Sequence, residues 1–102
     1  MEKIKATELD SILESNDIVV LDFSSPGCAP CKKVPPLLDE ILGELTDLNI
    51  AAYEVNVAEE PALAQRYFVL GVPTIIIFHK NKETKRFNSV PKKDKLVAAI
   101  KG

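Results

Sequence analysis

The sequence predicts an α/β domain, a mixed sheet with helices on both faces. Apolar β-branched runs alternate with segments of helical spacing, and the alternation closes with a hairpin and one more helix. Length sets the scale. A chain of 102 residues builds one core and leaves no room for a second domain beside it, so residues 1–102 read as a single unit.

Thr7 followed by Asp10 three positions on has the form of a helix cap, and Leu9, Ile12 and Leu13 then share one face, which predicts a short first helix. Ile18–Phe23 is almost continuously apolar, as a strand covered on both faces requires, and should lie centrally. After Ser24-Ser25-Pro26-Gly27 a second helix is expected to start near Cys28, with Val34, Leu38, Ile41 and Leu45 on one stripe. Pro35 and Pro36 fall inside that span, so a kink is expected there. Ile50–Asn56 reads as a second buried strand. Pro61 suits the first turn of a third helix carrying Leu63, Ala64, Tyr67 and Phe68, which Gly71-Val72-Pro73 breaks. Thr74–Phe78 is a strong strand, Lys80-Asn81-Lys82 a turn with Asn81 suited to positive φ, and Thr84–Phe87 the return strand. Leu96, Val97 and Ile100 mark a closing helix.

Composition excludes more than it selects. A net charge of -2 gives no basic face for nucleic acid or anionic lipid, and no apolar run approaches a membrane span. Charges in Met1–Glu8 stand where a secretory signal needs an apolar core, so a cytoplasmic location is the default expectation; a monomer is the default state in the absence of any sequence signal for assembly. No phosphate-binding glycine loop is present and no cofactor is expected.

Cys28-Ala29-Pro30-Cys31 is the sharpest local signal, because it opens a helix directly after a buried strand. With Cys28 as the cap its sulfur can accept an amide hydrogen bond. Pro30 has no N–H, which leaves the amide of Cys31 as donor. That bond and the positive end of the helix dipole both favour thiolate. Cys28 is thus the candidate nucleophile and Cys31, one turn further in, the shielded resolving thiol. A bridge closing so short a loop stabilises the fold by only about 2 kcal/mol, so pairing here serves chemistry. The competing readings are a zinc site, which needs two more ligands where the chain offers only His79, and a pair of inert core thiols.

Asp22 is a carboxylate in an otherwise apolar strand. Buried, it would have a raised pKa and could hold or pass a proton near neutral pH; at the strand end it could equally face water. Pro73 heads a strand, and its isomer is open from sequence. His79 and the Lys92, Lys93, Lys95 run read as solvated surface.

Taken together these residues resemble the thioredoxin family over essentially the whole chain. Val20-Leu21-Asp22-Phe23 resembles its central strand with a buried aspartate, Cys28-Ala29-Pro30-Cys31-Lys32 its redox motif, Pro36 its helix kink, and Gly71-Val72-Pro73-Thr74 its cis-proline loop. The resemblance implies a thioredoxin fold with a central sheet of four to five strands. It also implies a shallow groove, formed by the redox turn (Gly27, Ala29, Pro30) and the Val72-Pro73 loop, where a substrate backbone pairs with Val72. The implied activity is reduction of disulfides in partner proteins: Cys28 attacks, Cys31 resolves, Asp22 takes the proton, and a thioredoxin-reductase-like donor returns electrons. The alternatives are a disulfide oxidase or isomerase and a redox-gated binding module. The chain departs from the family pattern at Gly27 (usually tryptophan), Ala29 (glycine), Ser24 (aromatic), Glu54 (lysine) and Ser89 (glycine), as a divergent member with its own reductase or target would.

Overall fold

β1, Ile18–Ser24, is the spine of the computed structural model, which describes Met1–Gly102. It pairs in parallel with β2, Ile50–Asn56, and antiparallel with β3, Thr74–His79; β4, Lys82–Phe87, pairs antiparallel with β3. The strand order is β2-β1-β3-β4, a mixed four-stranded sheet. Period-two alternation in β1 sends successive side chains to opposite faces, and each face has its own core. Val19, Leu21 and Phe23 pack with Leu9 and Leu13 of α1 (Leu9–Ser15) and Leu63 of α3 (Pro61–Arg66). Ile18 and Val20 pack with Val34, Leu38 and Ile41 of α2 (Val34–Glu44) and Leu96 and Ile100 of α4 (Lys93–Lys101). Full burial of each such aliphatic side chain contributes about 1.5–3 kcal/mol, so the two faces together fix which end of β1 carries the site.

Several boundaries differ from the sequence expectation for identifiable reasons. The first helix begins two residues early, as a 3-10 turn over Ala6–Glu8, and its start is closed by Glu8, whose carboxylate accepts the Lys5 N–H at 2.9 Å, rather than by Thr7 and Asp10. β2 is an edge strand and only Val55 in it is fully buried. Its outer side is bridged by the N-terminal segment: Glu54 N–H donates to the Glu2 carbonyl at 2.8 Å and Ile4 N–H to the Glu54 carbonyl at 3.0 Å.

α3 stops at Arg66, short of Tyr67 and Phe68, because the chain there makes a Schellman turn. Val69 N–H reaches the Ala64 carbonyl, Phe68 N–H reaches the Gln65 carbonyl, and Phe68 takes the left-handed position at φ 54°. Glycine usually marks that position, so phenylalanine concealed the helix end. Tyr67 turns inward and meets Phe23 and Phe78 edge-on.

The β3–β4 hairpin turns through Lys80 and Asn81, both at positive φ as a two-residue type I′ turn requires. His79 is no free surface histidine: its ring hydrogen-bonds Thr84 on one side and, at 2.8 Å, the Ile100 carbonyl on the other, which ties the hairpin to α4. Lys93 likewise is held, by Glu40 and Glu44 of α2.

Candidate active site

At the carboxyl end of β1 the chain leaves the sheet through Ser25-Pro26-Gly27-Cys28. Proline second, glycine third at φ 77°, and a Cys28 N–H donating to the Ser25 carbonyl at 3.4 Å give this segment the make-up of a type II turn. No side chain crowds Gly27; what the position demands is the left-handed backbone. The turn delivers Cys28, half-exposed, to the molecular surface.

Cys28 and Cys31 form a disulfide, with Cα atoms 5.3 Å apart. The Cys31 N–H points at the Cys28 sulfur, 3.2 Å away, the bond expected from the absence of an N–H on Pro30. Cys31 is 4% exposed, so a partner can reach only Cys28. Cys28 is not the helix cap: Pro30–Lys33 is a 3-10 turn capped by Ala29, and α2 proper starts at Val34. The sulfur therefore sits one residue outside the helical segment, and the amide of Cys31, rather than a long helix dipole, is its closest electrostatic support. Pro35 and Pro36 fall where that 3-10 turn passes directly into α2, at its second and third positions, whose amides need no helical acceptor.

Asp22 lies on the α2 face of the sheet, opposite Glu54 of β2 and Ile75 of β3. It does not face water: it is fully buried and neither carboxylate oxygen has a hydrogen-bond donor from the chain. Burial, and secondarily the charge of Glu54, push its pKa up to about 7. Glu54 is itself half-buried and lines a shallow cleft of about 330 Å³ together with Ser24, Gly27, Cys28, Cys31 and Lys32.

The Val72-Pro73 peptide is cis. Thr74 pairs with Phe23, which puts buried Pro73 next in line across from Ser24, at the redox end of the sheet. The Thr74 hydroxyl donates to the Gly71 carbonyl at 2.7 Å and holds the loop, while the backbone of Val72 makes no hydrogen bond within the chain. Ala29 and Pro30 are exposed beside the disulfide. The structure thus gathers Gly27, Cys28, Ala29, Pro30, Cys31, Val72 and Pro73 at one end of the sheet, with buried Asp22 two residues before the end of β1. Sequence reasoning missed the apolar side chains next to Val72: Phe68 is 80% exposed and Leu70 98%, and both line a cleft that Val72, Thr74, Arg86 and Asn88 complete. Only the helix-end geometry could have signalled them, and glycine was absent there.

The family model described as thioredoxin matches residues 1–102. The chain belongs to the thioredoxin family. It is 32% identical to a thioredoxin of Chlamydia caviae over 98% of its own length and 96% of that protein. It is 40% identical to an M-type chloroplastic thioredoxin of Spinacia oleracea over 79% of this chain, a match spanning 45% of the spinach protein. Among solved structures, a single-site mutant of a thioredoxin from Halobacterium salinarum NRC-1 superimposes with a TM-score of 0.87 at 31% identity, covering 98% of this chain and 87% of that one. Membership and the Cys28/Cys31 pair make this thioredoxin-family chain a thiol-disulfide oxidoreductase, a protein-disulfide reductase.

Proposed function

We propose that the chain carries electrons to disulfides of partner proteins in three coupled roles. The Cys28 thiolate attacks the partner disulfide, Cys31 then attacks the sulfur of Cys28 in the mixed disulfide, and Asp22 accepts the proton that Cys31 gives up. The observation that carries this reading is the asymmetry of the pair: a half-exposed Cys28 whose sulfur has an amide donor at 3.2 Å, bonded to a Cys31 that is 4% exposed, just beyond the strand that carries a buried carboxyl with a pKa of about 7. The attacking thiol is the one whose anion is stabilised, and the resolving thiol is kept from outside reagents. The open backbone of Val72 is suited to an extended partner segment, paired strand-fashion beside the disulfide along Gly27, Ala29 and Pro30.

The physiological electron donor in this reading is a reductase of the thioredoxin-reductase type. The location is the cytoplasm. A chain whose two thiols form one reactive couple suits a reducing compartment, and fractionation of cells decides the point.

The test is a pair of variants in reduction of insulin disulfides driven by dithiothreitol. Cys28→Ser is expected to abolish turnover by the protein, whereas Cys31→Ser is expected to accumulate a mixed disulfide that mass spectrometry places at Cys28. Wild-type turnover by Cys28→Ser would sink the assignment, as would trapping by Cys31→Ser of partners that survive reducing agent.

A further inference from the structure

In the oxidising half-reaction the Cys31 S–H bond breaks, its proton passes to Asp22, the Cys28–Cys31 bond forms, and the Cys28–partner bond breaks with the electron pair leaving on the partner sulfur. The partner thiolate takes a proton from water. Asp22 is then a carboxylic acid at 0% exposure, with no donor or acceptor from the chain on either oxygen. Its proton needs a route out.

The sheet supplies one candidate. Asp22 and Glu54 are direct partners across the parallel β1–β2 ladder, so their side chains leave the same face of strands about 4.8 Å apart. Glu54 also lines the cleft that opens beside Cys28 and Cys31, so the strand neighbour of the buried carboxyl is itself open to solvent. The other polar side chains of that cleft are Ser24, Ser25 and Lys32. Two hydroxyls do not ionise in this range, and an ammonium has no lone pair to accept with. From β3 Asp22 meets the uncharged Ile75, and on the outer side of Glu54 stands Lys3, whose amine is drawn to Glu59 at 3.5 Å.

We propose that Glu54 is the proton conduit of the redox site, its carboxyl exchanging protons between the sealed carboxyl of Asp22 and the water of the cysteine-lined cleft. It acts through Asp22, as a positioning residue for that proton. This inference rests on the role given to Asp22 above.

The experiment is carboxyl-carbon NMR of the oxidised full-length chain across pH 5–9, with Asp22→Asn assigning the signal. In the wild type the Asp22 signal is expected to move as one averaged line. In Glu54→Gln, which keeps the size and loses the carboxyl, exchange at Asp22 is expected to slow by roughly tenfold or more, broadening the line at its midpoint, while the midpoint itself moves to lower pH because the neighbouring charge is gone. Glu54→Asp retains a carboxyl and is expected to exchange near the wild-type rate. An unchanged exchange rate in Glu54→Gln, or an equally slow one in Glu54→Asp, overturns the proposal. The role of Asp22 itself is read separately: an Asp22→Asn protein that reduces insulin at the wild-type rate across the same pH range overturns that role, whatever the NMR of Glu54 variants gives.

Discussion

The carboxyl of Asp22 has a pKa near 7 in the folded chain against an ordinary 3.8, so between those values the native state holds more proton than the unfolded one. The stabilising contribution is complete below about pH 4 and is lost as pH rises through 7. A rise of that size corresponds to about 4 kcal/mol, an order-of-magnitude figure. Asp22→Asn cannot ionise. In urea titrations the variant is expected to match the wild type near pH 4 and to exceed it above pH 7 by several kcal/mol, with the difference growing between; a difference independent of pH would mean that Asp22 is not buried as a carboxylate. At this scale the sequence was legible where residue type alone signals chemistry, as in Cys28 and Cys31. It was silent where environment decides. Nothing in Val20-Leu21-Asp22-Phe23 says whether protein or water covers the aspartate, because its neighbours across the sheet, Glu54 and Ile75, are distant in sequence.

Elements were legible to the extent that their punctuation is local. β1 and β3 lie where β-branched runs place them, β2 spans the expected Ile50–Asn56, and the Lys80-Asn81 turn follows from its residues. Helix ends were not, since a 3-10 lead-in or a phenylalanine at a left-handed position leaves no sequence mark. The prolines of α2 make the difference measurable. In a helix interior Pro36 would cost about 3 kcal/mol and Pro36→Ala would recover it; in the first turn the missing amide has no helical partner to lose. Pro36→Ala is therefore expected to change stability by less than about 1 kcal/mol in denaturant unfolding. A gain near 3 kcal/mol would mean that the 3-10 turn and α2 act as one helix with Pro36 in its interior.

For the molecule as a whole, a four-stranded sheet leaves two edges, and an uncovered edge invites pairing with other chains. The β4 edge is guarded by its own residues: Lys82, Glu83, Lys85 and Arg86 put charge along it. The β2 edge lacks such charge density and is covered instead by Glu2–Ile4, a segment whose charged sequence gave no hint of a strand. That cover is also an anchor, because Ile4 is 3% exposed and belongs to the same core as Val19, Leu21 and Phe23. Both of its hydrogen bonds converge on Glu54, the neighbour of Asp22. Ile4→Ala is expected to lose roughly 2–4 kcal/mol by cavity formation. It should also accelerate hydrogen exchange at the Glu54 amide more than at the β1 and β3 amides, since the edge opens locally before the sheet does. Uniform acceleration would mean that the N-terminal segment and the sheet unfold as one unit, and unchanged exchange at Glu54 would mean that Ile4 does not hold the cover in place.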